Sequence, residues 1–192
     1  MPRAGLRATD VVAAAATLVD EIGFHELTMG VLADRLGVRP PSLYKHVESL
    51  ADLRHRIATV AMTELGDEIR DALQAKAGHD ALRAMFFAIR TYVRAHPGRY
   101  TSTVGAEFTG PDDPLLAASA RVLASIGAVL SGYGIDEQDR DHAIRAMRCV
   151  IHGFASLSAA NAFQWNADLD VSFEWMIEFV ERGLRGGVGT TS

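Results

Sequence analysis

The sequence predicts an all-α protein, and three observations predict it. Apolar residues recur at three- and four-residue spacing along most of the chain, no segment alternates apolar and polar residues for long enough to make a strand, and the punctuation between periodic stretches consists of helix caps and stops. A chain of 192 residues, 48% of them apolar, is long enough to bury a real core.

Val11, Ala15, Leu18, Val19 and Ile22 form the first apolar stripe, with Thr9 expected as its N-cap and Gly23 as its stop. Val31, Leu32 and Leu36 mark a second, short helix, capped by Thr28 and ended by Gly37. Pro40 and Pro41 open a third, where their missing N–H groups cost nothing because first-turn donors have no intrahelical partner. Leu43 and Val47, four apart, hold that helix to its neighbours, which leaves Ser42, Tyr44, Lys45 and His46 on other faces. Ser49 with Asp52 reads as a capping pair for a long fourth helix carrying Leu53, Ile57, Val60, Ala61, Leu65 and Ile69 to about Ala75.

Gly78 breaks the pattern and Asp80 restarts it, with Leu82, Met85, Phe86, Ile89 and Val93 running to Pro97-Gly98. A helical turn is expected over residues 99–104, then a loop up to Asp113, which caps a helix opened by Pro114. Asp136 and Asp139 open a further long helix to about Ala162, and Asp168 or Asp170 opens the last, ending near Gly186. The expected organisation is a head over residues 1–52, with a helix-turn-helix at 28–47, a larger bundle over 53–186, and a disordered tail at 187–192.

The net charge is −5, which by itself argues against a nucleic-acid partner. Its distribution alters that reading: residues 1–56 hold seven bases and seven acids, while the remainder holds 12 bases and 17 acids. Arg3, Arg7, Arg39, Lys45 and Arg54 are positioned to share one surface of a neutral head. Uninterrupted apolar runs are only a few residues long, well short of the roughly 20 that span a bilayer, so no membrane partner is expected and the expected location is cytoplasmic. The single cysteine, Cys149, excludes an intrachain disulfide.

The stretch from Thr9 to Leu53 resembles the DNA-binding domain of the Tet repressor (TetR) family. The resemblance is carried by Ile22-Gly23-Phe24, Leu27-Thr28, Leu32-Ala33, Leu36-Gly37-Val38 and Leu43-Tyr44-Lys45-His46-Val47, in that order and spacing. It implies that Thr28, Tyr44, Lys45 and His46 hold phosphates while Arg39, Pro40, Pro41 and Ser42 face the major groove. Arg39 suits either a phosphate or guanine O6 and N7, a pair of bonds worth roughly 1–3 kcal/mol of discrimination. One departure stands out, because Leu50 occupies a position where the family often has a basic residue. Further on, Tyr92, Ala95-His96-Pro97, Tyr100 and His152-Gly153-Phe154 are similar to one subgroup of the family's ligand-binding domains.

The larger portion is crowded with aromatic and sulfur side chains. Phe86, Tyr92, Tyr100, Phe108, Met147 and His152 are the expected walls and polar handles of a pocket for a small, mainly apolar effector. The last two helices are apolar on more than one side, which implies a second copy packed against Ile151, Phe154, Phe173, Trp175, Ile177 and Val180. Cys149 and His152 lie three apart, but no further residue completes a metal set or a catalytic triad, and the expected behaviour of Cys149 is that of a small buried apolar group. No phosphate loop or nucleophile elbow occurs, so no cofactor and no enzymatic activity are expected. The resulting expectation is a homodimeric, ligand-responsive regulator on double-stranded operator DNA. The alternative is a small-molecule-binding bundle or helical enzyme with little DNA affinity.

Overall fold

The computed structural model describes residues 6–186. Arg3 and the tail expected at 187–192 lie outside them. Among the described residues there are nine helices and no strand. They are α1 (Ala8–Ile22), α2 (Met29–Leu36), α3 (Pro40–Leu43), α4 (Leu50–Ala72), α5 (Gly78–Ala95), α6 (Pro97–Ser102), α7 (Pro114–Ser131), α8 (Glu137–Ala159) and α9 (Leu169–Arg185).

Most of the boundaries follow from the caps. Thr28 Oγ1 accepts from the backbone N–H of Val31, Gly37 takes the left-handed conformation at φ 64°, and Asp168 accepts from the N–H groups of Asp170 and Val171. The Asp52 N–H donates to Ser49 Oγ at 3.0 Å, and the Leu115 N–H donates to Asp113 Oδ1 at 2.8 Å. Thr9 is not the cap of α1. Arg7 takes that place, because Asp10 can accept from both its backbone N–H and its guanidinium, satisfying more donors than a threonine hydroxyl would. α4 ends at Ala72, three residues early, with Ala75 at φ 57°, and α5 starts at Gly78 rather than Asp80.

The chain forms two compact units, residues 6–64 with 95–119, and residues 65–94 with 120–186. The first unit takes in the expected head and adds α4 up to Glu64, α6 and the start of α7. Its core joins Val11, Ala15, Val19, Leu27, Leu32, Leu43, Val47, Leu53 and Ile57. α6 sits hard against α1: a Cβ on Gly98 would lie 1.9 Å from Val19 O, so only glycine permits this approach. Arg99 then donates to Asp20 at 2.9 Å and to Glu64 at 3.1 Å, its backbone N–H meets Asp20 Oδ1, and His96 reaches Asp20 at 3.1 Å.

In the second unit Leu82, Met85, Phe86, Ile89 and Val93 of α5 are buried as their spacing predicts, together with Met147 and Ile151 of α8 and Phe173 and Ile177 of α9. Among the described residues α7 alone is long and apolar enough to cross a membrane, with mean hydropathy 1.6 over 18 residues. Leu115, Ala118, Val122, Ile126 and Val129 along it are buried and Arg121 is exposed, the pattern of a helix packed on one side by protein.

Candidate nucleic-acid interface

α3 is one turn long and continues as a hydrogen-bonded turn, with the N–H groups of His46 and Val47 both donating to Leu43 O. Leu43 and Val47 are buried in the head core, so the turn is pinned by its apolar side chains rather than by helix length. Arg39 is the N-cap, and the exposed Pro40 and Pro41 fill the first two helical positions. Tyr44 and Lys45 are exposed, and Ser42 and His46 are half-buried. Thr28 is exposed, and after capping α2 its hydroxyl proton remains available to donate.

Among the described residues the other bases up to Arg56 are already engaged. Arg7 pairs with Asp10, Arg35 with Glu21, and Arg56 with Asp52. Arg54, expected on the same surface as Lys45, instead donates to Leu27 O at 3.2 Å and lies over the Phe24 ring. Leu50 packs partly buried against the head core. Among the described residues no carboxylate pairs with Arg39 or Lys45, and these unengaged cations stand on either side of α3. Cations held away from carboxylates, on an element anchored from behind, are what phosphate neutralisation needs.

Residues 11–57 match the family described as bacterial regulatory proteins, tetR family, and residues 82–180 match the tetracyclin repressor-like C-terminal domain. The chain belongs to the TetR family. An HTH-type transcriptional regulator of Mycobacterium tuberculosis is 32% identical over 98% of this chain and 88% of its own. The HTH-type transcriptional activator FasR of Mycolicibacterium smegmatis is 25% identical over 96% of this chain and 85% of its own. Among solved structures, a TetR variant of Acinetobacter baumannii in complex with minocycline superposes with TM-score 0.72, at 22% identity, covering 95% of this chain and 98% of that one. This TetR-family protein is a DNA-binding transcriptional regulator, and a bundle without DNA affinity is not favoured.

The residues expected to bind an effector fall in both units. Phe86, Tyr92 and Met147 are buried in the second, where His152 is half-buried with Nδ1 3.4 Å from Ser156 Oγ. Tyr100 is half-buried in the first unit, and Phe108 is 53% exposed on a loop there. Cys149 is exposed rather than buried. A cleft of about 670 Å³ in the first unit, lined by Val12 and Ala16 of α1, His55 and Thr59 of α4, Arg99 and Asp113, was not anticipated from the sequence.

Of the expected dimer residues, Phe173 and Ile177 are fully buried within the protomer and Ile151 nearly so, while Phe154 and Val180 are half-buried and Trp175 is exposed. The outward face of α9 is instead Val171, Trp175 and Phe179, at 66%, 62% and 56% exposure. Two residues along a helix turn the side chain by roughly 200°, so this set lies opposite the buried one.

His79, Glu178 and Glu181 can each bring one ligand atom within 4.8 Å of the others. Both oxygens of Glu181 are taken, one by Arg185 at 2.8 Å and one by His79 at 2.6 Å, and a cation would have to displace them. Burial opposes the Glu181 charge, but these two donors outweigh it and hold the carboxyl below its usual range. Burial, followed by the nearby Glu181 charge, pushes the Tyr133 hydroxyl up to about 12.

Proposed function

We propose that this regulator is ligand-responsive and acts as a cytoplasmic repressor without enzymatic activity, binding a pseudo-palindromic operator as a homodimer. The observation that carries the DNA contact is the pair of unengaged cations, Arg39 and Lys45, flanking α3. Thr28, Tyr44, Lys45 and His46 hold phosphates, Arg39, Pro40, Pro41 and Ser42 meet the major groove, and two copies occupy successive grooves.

The dimer reading is supported by the outward stripe Val171, Trp175 and Phe179, whose two rings stack at 5.6 Å. Stacked aromatics left more than half exposed on a helix are a protein-contacting surface. The effector reading is supported by the buried aromatic and sulfur groups Phe86, Tyr92 and Met147 in the second unit, and by the minocycline bound to a regulator of the same fold. Gly98 and Arg99 give a mechanical reason for response. α6 is locked to α1 by a backbone approach that admits no Cβ and by the Asp20 pair, and to α4 by the Glu64 pair, so a shift of α6 carries the head with it. Coupling of this kind typically amounts to about 1–3 kcal/mol, a 5- to 150-fold change in operator affinity.

The test is selection of fragments from sheared genomic DNA followed by titration at several salt concentrations. A steep fall of affinity with salt, a palindromic consensus and a reporter gene that is switched on when the protein is deleted support the proposal. A reporter that falls on deletion overturns the repressor reading, and a non-palindromic consensus overturns the dimeric one.

A further inference from the structure

Arg90 of α5 is an ionised side chain in a place that does not suit one. The residue is 6% exposed, and its guanidinium lies over the rings of Phe173 at 4.6 Å and Phe154 at 5.7 Å. A guanidinium cannot shed its proton to escape burial, so its charge and its N–H donors must be met by partners. One nitrogen is met, by Asp170 Oδ1 at 2.7 Å, but the side chain of Asp170 is 79% exposed and water screens most of its attraction. Asp168, the other carboxylate near this cation, has its Oδ1 occupied by the first amides of α9. The Nε–H of Arg90 is buried with no hydrogen-bond partner at all. Ring faces favour a cation but offer no acceptor in the guanidinium plane, and an unmet buried donor of a charged group costs free energy.

A run of touching rings leads from this cation to the protein surface. Phe154 meets Phe173 at 5.1 Å and Phe163 at 5.2 Å, and Phe163 meets Trp165 at 5.3 Å, with Trp165 itself 66% exposed. Beside Phe154 on α8, a Cβ added to Gly153 would meet nothing within 4 Å. We infer that the effector is an aromatic carboxylate, whose anionic group takes the Nε–H of Arg90 and whose ring lies against the run Phe154, Phe163 and Trp165. This rests on the ligand-responsive reading above and adds the chemical class of the ligand. An acceptor that is also an anion answers both deficits of Arg90, the missing hydrogen bond and the poorly compensated charge.

The experiment titrates the full-length protein with 2-naphthoate and 4-phenylbutyrate and, in parallel, with their primary amides, following binding by calorimetry and tryptophan fluorescence in the absence of DNA. The acids bind, and the amides, which keep the apolar body and lose the charge, bind at least about tenfold more weakly. Arg90→Gln abolishes the difference between acid and amide. Should that buried change unfold the protein, Asp170→Asn decides: it removes an exposed competitor for the guanidinium and so tightens the acids about threefold while leaving the amides alone, a gain that a purely structural Arg90 would not produce. Failure of both acids to bind, equal binding of acid and amide, or no tightening in Asp170→Asn overturns the inference. Acids that bind as described but leave operator affinity untouched would instead refute ligand-responsive regulation and leave the Arg90 anchor standing.

Discussion

The head and the α9 face leave different things on their surfaces, and the difference indicates what each is for. In the head most apolar side chains of α1 to α3 are drawn inside, with Ile22 and Val31 only partly exposed at 37% and 39%, most of the described cations are paired, and what stays exposed around α3 is Arg39 and Lys45 without carboxylates. On α9 the inward side is equally complete, with Phe173 and Ile177 buried, yet Val171, Trp175 and Phe179 remain outside. Unspent charge calls for a polyanion and unspent apolar area for another protein surface, so exposure alone decides nothing until its chemistry is read.

The comparison breaks most severely at Gly98. Gly98→Ala places a Cβ 1.9 Å from a backbone oxygen of α1, which cannot rotate away as a side chain would, and the expected loss is roughly 3 kcal/mol or more by urea denaturation. Gly153→Ala is its control in the second unit: nothing lies within 4 Å of the new Cβ, and the change should stabilise α8 by about 0.5–1 kcal/mol through helix propensity. Equal effects at the two glycines would mean that α6 does not sit on α1 as described.

Next in size is the α9 face. Trp175→Glu with Phe179→Glu should give folded monomers by sedimentation, since two carboxylates in an apolar interface cost several kcal/mol of association. Ile177→Glu, on the buried side of the same helix, should unfold the protomer. A double variant that remains dimeric would move the interface to another surface.

Much of the fold was legible because caps are local. Thr28, Gly37, Ser49 with Asp52, Asp113 with Pro114, and Asp168 all act on neighbours within a few residues, and each is where the sequence suggested. What escaped depends on distant partners. Gly98 is constrained by Val19 and Asp20, Arg99 by Asp20 and Glu64, and no spacing rule connects them. Periodicity also finds the faces of a helix without saying which is inward. α9 carries apolar residues at 173 and 177 and again at 171, 175 and 179, and Phe173 and Ile177, expected at a dimer interface, are the side buried within the protomer. Arg54 was misjudged for a related reason: Leu27 O and the Phe24 ring claim it.

Smaller effects are expected at α3, where single contacts are shared among many. Lys45→Ala should weaken binding about tenfold on every DNA sequence and reduce the slope of log affinity against log salt by roughly 0.9, because one phosphate contact is lost. Tyr44→Phe should weaken it less and just as uniformly. Arg39→Ala should relax preference at one or two base pairs if the guanidinium reads guanine, and should mimic Lys45→Ala if it holds a phosphate. An unchanged salt slope in Lys45→Ala would remove α3 from the interface.

The subtlest expectation concerns acid stability of the first unit, through Asp113. Its buried carboxylate accepts from the backbone N–H of Thr109 at 2.8 Å and, despite burial, is further favoured by His55 Nε2 at 2.9 Å and the Leu115 N–H, which together hold the carboxyl well below the usual carboxylate range. A group depressed in this way is protonated first in the unfolded chain. Its contribution is therefore fully present above the unfolded value of about 4 and is lost as pH falls toward the lower folded one. Asp113→Asn keeps the shape and removes the charge. The stability gap between wild type and this variant should close progressively as pH falls below about 4, as followed by urea denaturation between about pH 5 and about pH 2. A gap that stays constant through the acid limb would show that Asp113 contributes by packing alone.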